Sequence, residues 1–481
     1  MKKVLNTVFL WAVCLFIIDS FCGCSVVNAF MTWIFPSCKG HHPGSDDGGV
    51  KYNIQATGKY SDGIILPNLT TEQSELHILM SMSYDQIVAL ETENAPQPQV
   101  QATNIWKNAY GTDIVVDVVS EAQQTEWLST AVASGTSPDI IPSNFPLWSA
   151  RGLVANVDDE KFAPYLDLDD EELGFDKERM AQYNFQGHPQ WAIVEEPQMY
   201  YTVYNRTKFE ILGEKTPMDY YLDGDKWTWS QFVETAKAMT DADAGEYGFT
   251  GWMLFPYTAP YPMLTLDAET GQAALQIDDE KYVGWMTDVY NFYQRDQAGR
   301  RSYDLQNWRT TFPGGTDAMV FAHLSDYEKI VKMAKELESG EFGIAPYPIY
   351  DRGGETERIV PAYLWAYCIS SGALHPEAAA TYIRLEILVR NNIKEAHPGR
   401  GYLDTVLTED EQKMLEDTAD DQVIMEKIQG IGDCYNILDT QLVPPIYYNA
   451  NETSVQAEID AVRPLLQAEI EDYNSELAER G

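Results

Sequence analysis

Short apolar runs alternate with segments of helical periodicity over most of the chain beyond residue 70. Residues 75–81 form a first apolar run, and residues 112–119 form a second one that is rich in β-branched side chains and follows Gly111. Both runs have the length and composition of β-strands. The segment between them is long enough for a helix, which we expect to end near Tyr110. This order predicts a strand, a helix and a second strand.

A second helix and a third strand are predicted next. Residues 123–134 repeat apolar side chains at helical spacing, and Gly135 follows where glycine commonly ends a helix. The stretch from Ala133 to Asn144 then reads ASGTSPDIIPSN, and only residues 139–141 suit a buried strand. Strands that alternate with helices form a parallel sheet, where a short apolar strand is expected because helices cover both faces. The pattern therefore predicts an α/β protein.

Later segments predict two further helices. Thr228 and Gln231 have the spacing of a capping box, and Trp227 and Phe232 have the spacing of a hydrophobic staple, so a helix is expected to begin after Thr228. Residues 454–479 are predicted to form one acidic amphipathic helix. The apolar face of that helix carries Ile459, Val462, Leu465, Leu466 and Ile470.

Length and composition predict a globular protein with more than one domain. The chain has 481 residues, of which 44% are hydrophobic and 12% aromatic, which is enough apolar material to bury a core. At roughly 150 residues per domain, two or three units are expected. The net charge is −41, from 74 acidic and 33 basic side chains, so phosphate backbones and anionic headgroups are repelled. We therefore expect no nucleic-acid partner.

The N-terminus has the pattern of an export signal. Lys2 and Lys3 precede an apolar run over residues 4–18, which is shorter than a membrane span. The sequence Phe-Cys-Gly-Cys-Ser at residues 21–25 then resembles a bacterial lipobox, where a cysteine that follows a small residue is lipidated. We predict a lipoprotein signal peptide at residues 1–24 and lipidation of Cys24.

Cysteine usage leaves two questions open. Lipidation of Cys22 and a retained membrane anchor are the two alternatives, because Phe21 and Cys22 depart from the usual lipobox residues. Cys368, within an apolar run, is expected to be a buried small hydrophobe, and a disulfide between Cys368 and Cys434 stays possible. Residues 25–69 are predicted to be an anchor-proximal segment and a flexible tether, because residues 39–49 are rich in glycine, proline and small polar side chains.

A set of short motifs follows the order found in one protein family. The motifs are SGTSPDII at 134–141, RGLV at 151–154, YNR at 204–206, WTWSQF at 227–232, TDADAG at 240–245, FPGGTDAM at 312–319, GIAPYP at 343–348 and HPEAA at 375–379. Together they resemble the extracellular solute-binding proteins of bacterial ABC sugar importers, the group that includes maltose-binding protein. The resemblance extends from about residue 70 to the C-terminus.

The resemblance implies a two-lobed, periplasmic-binding-protein-like fold of type II. Each lobe is expected to be an α/β sheet covered by helices, with the ligand cleft between the lobes. By this analogy residues 70–196 and 358–405 form lobe one, and residues 197–357 and 406–481 form lobe two. The implied protein is a monomer without a cofactor that captures a carbohydrate, expected to be an oligosaccharide, and delivers it to ABC transporter permease subunits. It would lie outside the cytoplasmic membrane and be held there by its lipid anchor alone.

Carbohydrate sites combine hydrogen-bonding side chains with aromatic rings that stack on sugar faces. Ser143 and Asn144 follow the third predicted strand, and ligands of α/β sheets bind beyond the carboxyl ends of strands. Asn144 would equally serve as a plain helix cap. Glu196 and Gln198, where the chain is expected to pass between lobes, are further candidates for binding hydroxyl groups, or else solvated hinge residues.

Four other side chains complete the predicted site. By the family resemblance Tyr257, which follows Pro256, is the main stacking candidate, and Trp365 faces either the cleft or the core. Asp326 and Tyr435 are the remaining candidates.

Two other functions compete with this prediction. An exported glycoside hydrolase would need two opposed carboxylates about 5–9 Å apart, and the many acidic residues offer pairs without a motif that selects one. A solute-binding protein for a peptide, polyamine or metal ion is the other alternative. The few scattered histidines suggest no metal site, and the acidic residues 167–171 are expected to start a helix rather than to bind calcium.

Overall fold

The structure, a computed structural model, describes residues 52–91, 96–142, 146–194, 198–251, 259–301, 308–363, 366–397, 401–419, 421–424, 430–447 and 454–479. Its strands are β1 (Tyr52–Gln55), β2 (Ile65–Pro67), β3 (Leu76–Met80), β4 (Ile114–Val118), β5 (Ile140–Pro142), β6 (Asn184–Phe185), β7 (His188–Pro189), β8 (Ala192–Ile193), β9 (Gln198–Asn205), β10 (Leu264–Leu266), β11 (Ala273–Leu275), β12 (Met319–His323), β13 (Phe342–Ala345), β14 (Ile359–Tyr363), β15 (Ala366–Ile369) and β16 (Gln422–Ile424).

The α-helices are α1 (Tyr84–Val88), α2 (Pro98–Tyr110), α3 (Glu121–Ser134), α4 (Leu147–Ala150), α5 (Lys177–Ala181), α6 (Arg206–Leu212), α7 (Pro217–Leu222), α8 (Trp229–Ala238), α9 (Glu280–Tyr290), α10 (Trp308–Thr311), α11 (Leu324–Leu337), α12 (Pro376–Ala396), α13 (Glu409–Asp417), α14 (Cys434–Ile437), α15 (Val443–Tyr447) and α16 (Val455–Ala478). Single 3₁₀ turns lie at Phe312–Gly314, Asp351–Gly353 and Gly401–Thr405, and π turns lie at Asn291–Arg295 and Leu438–Leu442.

The first sheet has the strand order β4-β3-β5-β15-β8. Strands β4 and β5 both run parallel to β3, which confirms the parallel arrangement predicted for these three strands. Strand β15 enters from much later in the chain and pairs antiparallel with β5 and β8. Asp139, at the start of β5, is fully buried and accepts hydrogen bonds from the backbone N–H groups of His77 and His375 at 2.9 and 2.6 Å. This carboxylate therefore ties β5 to β3 and to the start of α12.

The second sheet is built around β9, its longest strand. Strands β12 and β13 pair antiparallel with β9 on opposite sides, and β14 pairs with the first two residues of β9. Strand β16 lies parallel to β14 at the edge. The described residues thus form two mixed five-stranded sheets with helices packed on them, as the two-lobed fold class predicted, and three two-stranded antiparallel sheets. The exact residue limits of the two lobes stay a prediction.

Two passages of the chain connect the sheets side by side. The first leaves the first sheet at β8 and enters the second at β9, and the second leaves at β14 and returns at β15. Tyr363 pairs with Gln198 on one side of the passages, and Ala366 pairs with Ile193 on the other. These pairings hold the four strand ends next to each other, which is the arrangement expected of a hinge.

A buried aromatic cluster forms the core of the second lobe, and α8 positions part of it. The helix begins after Thr228, whose side chain accepts a hydrogen bond from the Gln231 N–H at 3.3 Å. The Gln231 side chain donates instead to Thr235, so only half of the predicted capping box forms. The ring centroids of Trp227 and Phe232 lie 6.2 Å apart at 89°, which confirms the predicted staple.

The C-terminal helix α16 matches its predicted span and packs on β11, α9 and α14. Ile459, Val462, Leu466 and Ile470 are buried, as predicted. Leu465 was wrongly predicted to face the core, because it is 41% exposed. Its neighbour Leu466 continues the three- and four-residue spacing of the buried stripe, and adjacent positions on a helix point about 100° apart.

Candidate ligand-binding site

One edge of the first sheet collects the carboxyl ends of its parallel strands. Strands β3, β4 and β5 end at Met80, Val118 and Pro142. Strand β15 begins at the same edge, because Tyr367 pairs with Pro142. Ligands of α/β sheets bind beyond such an edge, since the loops that follow the strands converge there.

One edge of the second sheet, formed by the start of β9 and the end of β12, borders the same two passages. Strand β9 begins at Gln198, and β12 ends at His323, which lies opposite Tyr200 in the pairing of the two strands. Each passage joins the edge of the first sheet to the edge of the second sheet. The two edges therefore lie on opposite sides of the same pair of passages. A cleft between two such edges is where a two-lobed binding protein holds its ligand.

Polar and aromatic side chains gather at the edge of the second sheet. The rings of Tyr200 and His323 lie with their centroids 3.8 Å apart, and His323 Nδ1 is 3.4 Å from the carbonyl oxygen of Met199. Asp326, in the first turn of α11, is 6% exposed and lies 3.3 Å from the guanidinium of Arg309. The exposed Gln198 completes this group.

Burial sets the protonation of these groups. It lowers the pKa of His323 below its ordinary value, against the opposing effects of the Met199 carbonyl and Asp326, while Arg309 lowers it further. Burial also raises the pKa of Tyr200, and Asp326 adds to that rise. At neutral pH the imidazole and the phenol are therefore uncharged, so each can offer both a hydrogen-bond donor and an acceptor.

The family comparison agrees with this geometry. The model of a family described as bacterial extracellular solute-binding protein matches residues 89–385, which is more than half of the chain. The chain belongs to this family. Proteins of the family bind solutes outside the cytoplasm. A comparison with curated protein sequences gave no match.

Solved structures of ABC transporter binding proteins share the fold of this solute-binding protein. An ABC substrate-binding protein from Listeria monocytogenes, in complex with cycloalternan, is 16% identical, with a TM-score of 0.56 over 84% of this chain and 99% of that one. The GacH receptor of Streptomyces glaucescens, studied with acarbose, gives 16% identity and a TM-score of 0.56 over 83% and 99%. A solute-binding protein from Thermotoga lettingae, bound to α-D-tagatose, gives 15% and 0.53 over 84% and 100%.

The structure describes three of the predicted binding residues. Gln198 and Asp326 are brought together at the edge of the second sheet, but the carboxylate of Asp326 is engaged by Arg309 and Lys329. Tyr435 lies on a different element, α14, and is 38% exposed. The other predicted residues lie outside the described part of the solute-binding protein, and they are Cys22, Cys24, Ser143, Asn144, Glu196, Tyr257 and Trp365.

Sequence reasoning missed Tyr200, His323 and Arg309. His323 directly follows the apolar run 318–322 and precedes a helix. That is the same pattern that selected Ser143, a polar residue at the end of a short apolar strand, so the rule applied throughout the chain would have found His323. Arg309 carries no comparable pattern, because its place in the site depends on its contact with Asp326.

The described ranges of the solute-binding protein also bear on its cysteines, its acidic segment, metal binding and membrane-spanning helices. Cys368 and Cys434 are both buried free thiols, so they do not pair. Residues 167–171 lie in turns and the helix begins at Lys177, so the predicted helix start was wrong. Within the described ranges no cluster of three or more potential ligands is placed to hold a metal ion. No helix of those ranges is both long and apolar enough to span a membrane.

Replacing His323 by glutamine is expected to reduce the acid sensitivity of this binding protein. Because the folded-state pKa of His323 is lowered, the unfolded chain binds its proton more readily. The contribution of neutral His323 to stability is therefore complete above about pH 6.5 and is lost as the pH falls below that value. Urea unfolding at pH 7.5 and pH 5.0 should show a larger loss for the wild type than for His323→Gln. Equal losses would contradict this assignment.

Proposed function

We propose that this protein is the extracytoplasmic substrate-binding lipoprotein of an ABC importer and that its ligand is a carbohydrate, specifically an oligosaccharide. The observation that carries this proposal is the pair of sheet edges that adjoin two neighbouring chain passages. The solved structures of similar fold add support, because the ligands in their descriptions, including cycloalternan, tagatose, acarbose and mannitol, all carry several hydroxyl groups.

The described side chains at the second edge suit hydroxyl groups. Gln198 offers an amide, His323 an uncharged imidazole and Arg309 a guanidinium that Asp326 orients. A sugar hydroxyl both donates and accepts hydrogen bonds, so it matches this mixture better than a purely anionic or cationic ligand does. The net charge of −41 also disfavours anionic solutes.

The remaining predicted residues complete the proposed site. In the sequence, Ser143 and Asn144 come directly after β5, and Glu196 comes two residues before β9. We assign them to hydroxyl binding, and we assign Tyr257 and Trp365 to stacking on sugar rings. A ligand held by both lobes favours the closed arrangement because it gains contacts only there. The closed protein, anchored through Cys24, would then deliver the sugar to permease subunits.

Thermal melting with a panel of solutes tests this proposal. Maltose, cellobiose, lactose and xylobiose are compared with a tripeptide, an amino-acid mixture and spermidine. A ligand present at 100 times its dissociation constant should stabilise the protein by about 2.7 kcal/mol. We expect one or more sugars to raise the melting temperature. A rise with a peptide, amino acid or polyamine, together with no rise for any sugar, would exclude the carbohydrate assignment.

A further inference from the structure

An open groove of about 450 Å³ lies on one face of the first sheet, between β3 and β4 below and α1 and α2 above. Its floor consists of aliphatic side chains from the two strands. These are Ile78, Met80, Ile114, Val116 and Val118. The volume falls within the range of about 300–1,000 Å³ that is typical of small-molecule sites.

The groove stays open because β4 is the edge strand of the sheet and α2 packs mainly against α12. Ile114 and Val116 are only partly buried, and Val118 is 53% exposed. A row of aliphatic side chains in contact with water is unfavourable by the hydrophobic effect. An apolar group that covered this row would therefore gain free energy.

Hydroxyl groups line the inner end of the groove, and they already have partners. Gln99 Nε2 donates to the hydroxyl of Tyr367 at 2.8 Å, and that hydroxyl donates to the buried carboxylate of Glu386 at 3.0 Å. The hydroxyls of Tyr382 and Thr103 lie 3.3 Å apart. Burial raises the pKa of both tyrosines, so they stay uncharged. This end therefore presents ring surfaces and satisfied hydroxyls rather than a free charge.

The groove begins at the edge of the first sheet that borders the cleft. Met80 and Val118 are the last residues of β3 and β4, and both line it. Tyr367, which pairs with Pro142 at the end of β5, lines it as well. From this edge the groove runs along the sheet toward Asp113. It is thus continuous with the edge where the proposed ligand would lie.

We propose that this groove binds an uncharged apolar substituent, about the size of an aromatic ring, carried by the carbohydrate whose sugar part occupies the cleft. The inference rests on the proposed function, and it narrows the ligand from a free sugar to a glycoside. Asp85 and Asp113 line the groove and would repel a carboxylate there. A cationic substituent would lose its hydration on the aliphatic floor, and Asp113 is already paired with Lys107.

Isothermal titration with matched ligand pairs tests the inference. Maltose, cellobiose, lactose and xylobiose are each compared with their 4-nitrophenyl glycosides. Burial of the ring on the aliphatic floor should lower the dissociation constant about tenfold relative to the free sugar. Sugars that bind without any gain from the ring would overturn this inference and leave the proposed function intact. If none of the sugars and none of the glycosides binds, both fail.

Two substitutions on β4 test whether the higher affinity for the glycoside comes from this groove. Val116→Trp fills the groove, so we expect the affinity for the free sugar to stay unchanged and the advantage of the glycoside to fall below twofold. Val115→Trp is the matched control, because Val115 is 43% exposed on the opposite face of the same strand, and it should keep the full advantage. If Val116→Trp does not fold, Ile114→Trp, at the start of β4 and away from the edge that borders the cleft, serves in its place. A filled groove that retains the tenfold advantage would overturn the inference.

Discussion

Replacing Glu411 by alanine is expected to lower the free energy of unfolding by about 3–5 kcal/mol, because the change breaks a buried ion pair. Glu411 is fully buried in the first turn of α13 and forms an ion pair with Arg206. One carboxylate oxygen accepts a hydrogen bond from the Ile344 N–H at 2.8 Å, and the other accepts one from the Thr408 N–H at 2.9 Å. The alanine variant would leave the Ile344 N–H and the Arg206 charge without this partner.

The effect matters for function because of where Glu411 lies. Glu411 fixes α13, which follows α12 in the chain, to β13 of the second sheet and to the start of α6. Urea unfolding followed by tryptophan fluorescence measures the loss. Glu411→Gln should lose less, because the amide oxygen can still accept a hydrogen bond. Glu416→Ala, at an exposed position of the same helix, should stay within about 0.5 kcal/mol of the wild type. A similarly small loss for Glu411→Ala would contradict this role.

Replacing Phe232 by alanine is expected to destabilise the protein by about 3–5 kcal/mol through the cavity it leaves. The Phe232 ring is fully buried and is surrounded by other rings on several sides. Its centroid lies 5.4, 5.2 and 5.1 Å from those of Phe249, Phe292 and Phe321. Such a cluster cannot collapse into the space without moving β12, which carries Phe321, and the π turn at Asn291–Arg295, which carries Phe292.

Phe232→Leu separates the loss of volume from the loss of the aromatic ring. Leucine fills much of the space, so we expect it to cost far less than alanine. The midpoint of urea unfolding should fall in both variants while the slope with denaturant stays constant. Near-ultraviolet circular dichroism reports on the neighbouring tryptophans, and it should weaken more for alanine than for leucine. Equal, small effects of the two variants would show that the cluster is loosely packed.

Local patterns in the sequence were sufficient to predict the three parallel strands of the first sheet. Strands β3, β4 and β5 were predictable because each is a short apolar run between turn residues, and helices of ordinary length separate them. Strand β15 also lies within an apolar run, but its antiparallel place between β5 and β8 was not predictable, because pairing partners far apart in sequence leave no local pattern.

The candidate site was predictable only in part for the same reason. Gln198 could be chosen because it follows the expected passage between lobes. The structure places it at the edge of the second sheet that borders the two passages. The group around it depends on the register of β9 and β12, which places Tyr200 and His323 opposite each other. It depends as well on the first turn of α11, where Asp326 meets Arg309. Neither feature can be read from spacing along the chain.

The crystal structure of the complex with the sugar that gives the largest thermal shift tests the central claim most directly. We expect the sugar to lie between the carboxyl ends of β3, β4 and β5 and the edge of the second sheet at Gln198 and His323. Its hydroxyl groups should be within hydrogen-bonding distance of side chains from both lobes. A sugar bound to one lobe only, or away from the two passages, would contradict a binding site between the lobes.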